Sequence, residues 1–285
     1  MATSNVNNTY LTPSSSPKPS SGSSGATKPT LLAFHGSGSN STIHIVQLAR
    51  LARHLKPDFE IESLEAPFPS PAGPGILPFF EGMGPYKRWL PPSEKLSLDS
   101  MKAGTGLRTM PPEVEDLVRS TVLRIRAQGG KVVGLIGFSQ GTKVVAGLLR
   151  GCEIRRVVEA TGVETTDADW LDFQFGLSVC GSYPPPLVPS SATSLLTASS
   201  LSLEQKLALE TAKIQLPTLH MLGSEDEWAW TGKLLIKADY EVGEGKSEVR
   251  EIEGGHHYPQ KAEATDGIVE WVGATWGKVA GEVRG

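Results

Sequence analysis

The stretch KVVGLIGFSQGTKVVAG, Lys131 to Gly147, constrains this chain more than any other. An apolar, β-branched run (Val132, Val133, Leu135, Ile136) enters Gly137-Phe138-Ser139-Gln140-Gly141, after which Val144, Val145, Leu148 and Leu149 recur at helical spacing. Strand, sharp turn and helix around G-x-S-x-G form a nucleophile elbow, in which flanking glycines let the chain reverse and leave the serine hydroxyl exposed above the strand end. The helix starts beside Ser139, so its unpaired N–H groups and positive dipole end face the serine, and the Gln140 N–H is placed to hold a developing oxyanion. A chance pentapeptide is the competing reading, and the strand before and helix after argue against it.

A chain of 285 residues can hold one large α/β domain. The charge balance of -4 excludes the basic footprint of a nucleic-acid binder. Cys152 and Cys180 are too few and too distant for a disulfide framework or a zinc site, and no apolar run is long enough to span a bilayer. Residues 1–28 are rich in Ser, Thr, Asn, Pro and Gly and are expected to form a disordered tail preceding a domain over 29–285. They lack the compact apolar stretch of a signal peptide, so a cytoplasmic location is the expectation.

Thr30 to Phe34 is an apolar strand emptying into His35-Gly36-Ser37-Gly38-Ser39-Asn40, and Ile45, Leu48, Ala52 and Leu55 then fall at helical spacing, with Ser39, Asn40 or Ser41 available as N-cap. A phosphate-binding loop is a weak reading, because neither a GK[ST] ending nor G-x-G-x-x-G spacing is present. A loop after an early strand that brings a backbone N–H to the nucleophile fits better, and that donor is assigned to Ser37. His35 is read as structural, His44 and His54 as surface residues of the first helix, and His220 as a core or hydrogen-bonded residue.

Phe59 to Leu64 predicts a second strand, followed by the long Pro- and Gly-rich segment Ala66 to Pro112 with its aromatic residues. This segment is expected to cap the serine and supply an apolar acyl pocket, a flap without substrate contact being the alternative. Phe68, Phe80 and Trp89, together with Trp228, are the expected substrate-binding residues. Pro112 to about Gln128 predicts a helix, whereas Cys152 to Asp172 gives no clear pattern. Phe175 to Cys180 predicts a strand, and Tyr183-Pro184-Pro185-Pro186 opens a second excursion readable as a pocket wall or a solvated loop. Two further strands, Leu219 to Leu222 and Val249 to Ile252, and a helix carrying Ile268, Trp271, Val272, Trp276 and Val279 complete an alternation that predicts a mostly parallel sheet covered on both faces.

A serine hydroxyl needs an imidazole to take its proton and a carboxylate to orient that imidazole. Asp226 and His256 follow successive strands, in the order Ser, acid, His. Glu225 and Glu227 rival Asp226, whose shorter side chain after a Gly turn suits a fixed orienting role. His257 rivals His256, but in extended backbone the two point opposite ways.

The segments LLAFHGSGSN (Leu31 to Asn40), APFPSPAGPG (Ala66 to Gly75), GFSQGT (Gly137 to Thr142), LGSED (Leu222 to Asp226) and GGHHYP (Gly254 to Pro259), in this order, make the chain resemble the fungal serine hydrolase (FSH) family of α/β-hydrolases. The resemblance implies an α/β-hydrolase fold with Ser139, Asp226 and His256 as triad. It also implies an esterase or a thioesterase of the kind that releases acyl chains from polyketide synthases, so that an acyl carrier domain becomes a candidate partner. Two departures stand out: Thr142-Lys143 replaces small residues after the elbow, and Trp228 and Trp230 crowd the acid loop.

The expected chemistry is cleavage of an ester or thioester of an apolar acyl chain through an acyl-enzyme, with an oxyanion hole from Ser37 and Gln140 and no requirement for a metal or organic cofactor. An acyltransferase or cyclase using the same triad is an alternative, as is a ligand-binding protein on a hydrolase scaffold.

Overall fold

The computed structural model describes residues 27–282. The chain runs β1 (Thr30–Phe34), α1 (Ser41–Leu55), β2 (Glu60–Leu64), β3 (Phe68–Ser70), β4 (Tyr86–Arg88), α2 (Leu98–Ala103), α3 (Pro112–Ala127), β5 (Val132–Phe138), α4 (Gly141–Glu159), β6 (Phe175–Val179), α5 (Ser190–Ala198), α6 (Leu203–Thr211), β7 (Thr218–Gly223), α7 (Ala229–Asp239), β8 (Glu248–Ile252) and α8 (Ala262–Glu282). Most of the expected tail, residues 1–26, lies outside the described residues. Thr27 and Lys28 are already tied to the fold, through the Gly129 and Lys56 carbonyls.

Six strands form one sheet in the order β2-β1-β5-β6-β7-β8, and every neighbouring pair is parallel. A parallel sheet needs helices on both faces, and its inner strands are therefore apolar throughout rather than alternating. β5 shows this: all seven of its residues are buried between β1 and β6. Residues of β1 alternate between two cores, Leu31 and Ala33 meeting α1 and α8, and Leu32 and Phe34 meeting α3 and α4. The molecule is an α/β-hydrolase fold, in which loops at the carboxyl ends of the central strands carry the site.

Local signals explain most boundaries. Among the three candidate caps of α1 it is Asn40 that accepts from the Ile43 N–H, at 2.8 Å. Its amide reaches on to the Met83 and Pro85 carbonyls, so the same residue ties the helix start to the segment above it. α3 opens on Pro112 with acids in its first turn and arginines in its last, as the helix dipole favours. The uninterpreted stretch Cys152 to Asp172 is the end of α4 and a short 3-10 turn at Thr166–Ala168. The segment 66–112 is less irregular than its sequence: β3 and β4 pair antiparallel, and α2 follows with a Ser97–Ser100 capping box. The second proline-rich excursion likewise ends in α5.

Candidate active site

Ser139 sits between β5 and α4 at φ 49°. Left-handed backbone costs a non-glycine residue roughly 1–2 kcal/mol, and it persists only where the surroundings fix it. Here they do: the Ser139 N–H donates to the Val179 carbonyl at 3.0 Å, and the Ser139 carbonyl accepts from both the N–H and the hydroxyl of Thr142. Gly141 allows the reversal because a Cβ there would lie 2.1 Å from the Phe34 carbonyl oxygen.

The loop after β1 lies alongside. His35 is fully buried, and its Nε2 accepts from the Ala66 N–H, which fixes the neutral tautomer with Nδ1–H donating to the Gly36 carbonyl. Burial lowers its pKa as well, and with both nitrogens engaged it has no free site for a proton from substrate. The Trp89 indole donates to the His35 carbonyl at 2.7 Å, and the Trp89 N–H donates to the Gln140 side chain at 2.7 Å. Gly38 N–H donates to Lys87, and Lys87 N–H returns to Ser39. Among the described residues, the N–H groups of Ser37 and Gln140 have no acceptor, and both residues line the same cavity as Ser139.

At the far end of the sheet, the loops after β7 and β8 meet. His256 Nδ1 lies 2.8 Å from Asp226 Oδ2, and Asp226 Oδ1 accepts from the Trp228 N–H at 2.8 Å. Burial alone would raise the Asp226 carboxyl, but the hydrogen bond and charge of His256, with the Trp228 N–H, outweigh it and hold the pKa below the ordinary value. Glu225 and Glu227 are exposed. His257 faces its own loop, with its nitrogens on Gly255 N–H and the Tyr258 carbonyl.

The cavity holding Ser139 and His256 measures about 230 Å³. Ile76, Leu96, Met101, Phe138, Tyr183 and Trp228 form its apolar wall. Of the four expected substrate-binding residues, Trp228 is there, and the other three are a correction. Trp89 is fully buried beneath the loop after β1, Phe68 packs onto the core, and Phe80 stands outside the cavity lining with its carbonyl accepting from the Tyr86 hydroxyl. Aromatic composition signalled that segment 66–112 would pack, but composition carries no direction.

His44 is a second correction. It is fully buried, with Nδ1 2.9 Å from the Ser63 hydroxyl and Nε2 2.9 Å from the Tyr258 hydroxyl. Burial, and then the neighbouring His35, keep it well below the ordinary histidine pKa. Tyr258 stacks on Phe138 at 5.1 Å and Phe138 meets the His256 ring at 5.2 Å, so α1 and the loop carrying His256 share one packed column. The signal was present: His44, Leu48, Leu51 and Leu55 fall on one helical face.

The fold also gathers Cys180, Asp226 and His256, whose ligating atoms lie within 4.8 Å of one another, a grouping that spacing along the chain does not announce. The Asp226 oxygens already serve His256 and Trp228, and burial pushes the Cys180 thiol up to about 12, so it stays protonated. Among the described residues no helix is long and apolar enough to cross a membrane.

Compared with known proteins, residues 24–268 match the profile of the family described as Serine hydrolase (FSH1). Esterase pigG of Monascus ruber is 32% identical over 256 residues, covering 86% of this chain and 89% of its own. The dihydromonacolin L-[lovastatin nonaketide synthase] thioesterase of Aspergillus terreus (strain NIH 2624 / FGSC A1156) is 30% identical over 236 residues, covering 81% and 86%. Esterase FUS5 of Gibberella moniliformis (strain M3125 / FGSC 7600) is 28% identical over 249 residues, covering 87% and 88%. Among solved structures, the crystal structure of esterase PE8 aligns with TM-score 0.46 and 18% identity over 88% of this chain and 94% of that one.

Proposed function

Since this chain belongs to the serine hydrolase (FSH1) family, we propose that it cleaves an ester or thioester of a medium-length apolar acyl group through an acyl-enzyme on Ser139. The observation that carries the reading is the arrangement around one cavity: a serine held at positive φ, an imidazole paired with a buried carboxylate at 2.8 Å, and two unengaged N–H groups.

In the first step, His256 Nε2 takes the Ser139 hydroxyl proton as the oxygen attacks the carbonyl carbon. Asp226 keeps Nδ1 protonated and stabilises the imidazolium that forms. Negative charge gathers on the former carbonyl oxygen, where the Ser37 and Gln140 N–H groups and the positive end of α4 receive it. Collapse expels the alcohol or thiol, which leaves with the proton from His256. In the second step a water gives its proton to His256 and attacks the acyl-enzyme; collapse breaks the bond between the acyl carbon and Ser139 Oγ, His256 returns the proton to that oxygen, and the acid is freed.

The cavity supports the acyl size. At about 230 Å³ it lies just under the roughly 300–1,000 Å³ of drug-sized ligand sites, and its wall is apolar. An acyl chain fits there while a bulky leaving group stays outside. The thioesterase among the relatives supports a thioester as one substrate form, and with it a polyketide chain delivered on an acyl carrier domain.

The test is to expose the protein to an active-site phosphonate and to a series of acyl thioesters and p-nitrophenyl esters, comparing wild type with Ser139→Ala. Stoichiometric labelling and turnover that both vanish in the variant are expected. Wild-type protein that neither labels at Ser139 nor turns over any acyl substrate overturns the reading.

A further inference from the structure

Lys143 stands on α4, one turn from the nucleophile, with only 1% of its surface exposed. Burying an ammonium is expensive unless its donors are satisfied. Its Nζ donates to the Pro185 carbonyl at 2.7 Å and to the Tyr183 carbonyl at 3.1 Å, and lies 4.2 Å from the centroid of the Tyr183 ring. No carboxylate of the described residues lies within ion-pair distance of it, so its immediate partners all belong to one loop. The Lys143 carbonyl accepts from the Leu187 N–H in the same loop.

The neighbouring residues act in the same direction. Thr142 Oγ1 donates to the Ser139 carbonyl at 2.7 Å and accepts from the Ser182 N–H at 2.8 Å, so one hydroxyl joins the nucleophile's backbone to the start of the loop. One turn further along α4, a Cβ on Gly147 would come within 1.6 Å of the Leu187 carbonyl oxygen, so helix and loop touch backbone to backbone there. Segment 182–187 is thereby strapped along the helix that begins at Ser139, and its Ser182 and Tyr183 line the cavity.

We propose that Thr142 and Lys143 are positioning residues for acyl-chain selection: they clamp Tyr183 as a rigid wall of the cavity, and Tyr183 limits the length of acyl chain accepted beside Ser139. The inference rests on the reading of Ser139 as the acyl nucleophile. With the Lys143 amino group donating to two carbonyls against a ring face, the loop has one low-energy position; without it, two buried carbonyls lose their donor and are drawn toward water.

The experiment is to measure kcat and KM for p-nitrophenyl esters from acetyl to dodecanoyl with the full chain as wild type, Lys143→Met, Tyr183→Ala and Tyr183→Phe. Ser139→Ala serves as blank, and phosphonate titration counts active sites. The decanoyl-to-butanoyl ratio of kcat/KM is expected to rise about tenfold in Lys143→Met and in Tyr183→Ala, mainly through KM. Tyr183→Phe keeps the ring and is expected to stay within about twofold of wild type. Where all variants label and turn over but the chain-length profile does not move, the clamp is overturned and the hydrolase reading stands. Where wild type neither labels nor turns over, both fall together. If Lys143→Met does not fold, the Tyr183→Ala profile decides: an unchanged one overturns the proposal.

Discussion

Replacing Lys143 by methionine leaves an unbranched side chain one atom shorter and removes the titratable amino group with its two hydrogen bonds, so the pH dependence of the difference reports what burying that group does to this fold. Burial presses the Lys143 pKa from 10.5 to about 7, against the opposing pull of Asp239 and Glu94. A base whose pKa is lower in the folded state sheds its proton earlier there than in the unfolded chain. Below about pH 7 both states hold the proton and the penalty is constant; between about 7 and 10.5 only the unfolded chain holds it, so stability rises with pH. The slope is about 1.4 kcal/mol per pH unit, which gives wild type a gain of about 2–3 kcal/mol relative to Lys143→Met between pH 7 and pH 9. Other lysines and tyrosines titrate alike in both proteins and drop out of the difference. Urea unfolding followed by tryptophan fluorescence at several pH values from about 6 to about 9 reads it directly. Parallel pH curves for the two proteins would refute the reasoning, because the two carbonyls and the Tyr183 ring would then offset the desolvation in full.

Three further outcomes are expected. Asp226→Asn should preserve the fold while reversing the tautomer demanded of His256, lowering kcat by about 10⁴ with far less effect on KM, as steady-state kinetics on an acyl ester would show. Trp89→Phe keeps a ring but leaves the His35 carbonyl without its indole donor; a loss of about 1–3 kcal/mol in urea titration is expected, with kcat falling because the loop carrying Ser37 loosens. Glu115 accepts from the Ser190 N–H and hydroxyl and from the Ser191 N–H at the start of α5. Burial would raise its pKa, but these bonds outweigh that and hold it below the ordinary value. Its stabilisation is therefore present above the unfolded carboxyl's pKa and lost as pH falls through the folded one, so Glu115→Gln should destabilise by about 1–2 kcal/mol near neutral pH and cease to differ from wild type in acid.

Much of the site was legible because its signals are local. The elbow is one contiguous strand–turn–helix, its glycines are demanded by the turn, and the Asp226 and His256 loops each follow a short apolar strand. His256 rather than His257 meets Asp226, but the two lie in a run of bends with the His257 N–H turned back on the Gly255 carbonyl, so loop geometry and not strand-like alternation sets them apart. Side-chain length favoured Asp226 over Glu225 and Glu227, and in the structure Asp226 pairs with His256 while both glutamates lie in solvent. By contrast, α5, α6 and α7 are not announced by the sequence pattern: α5 is short and rich in Ser and Thr, α6 buries none of its residues and starts from a Ser202–Gln205 capping box, and α7 is held by packing of Leu235 and Ile236 without a side-chain cap.

What the amino-acid order determined by itself was the parallel α/β arrangement, the position of Ser139 on a sharp turn and the placing of Asp226 and His256 in the loops after successive strands, because each follows from periodicity, turn chemistry or sequence order. What only the tertiary structure decided was which distant side chains share a surface. Trp89 and Phe68 turned to the core, and Ile76, Leu96, Met101 and Tyr183 to the cavity, while His44 became the buried partner of Tyr258. Thr142 and Lys143 found their partners some 40 residues away. Direction of a side chain out of a long loop, and the match of a buried donor to a distant carbonyl, depend on packing between elements, and no pattern along the chain encodes that.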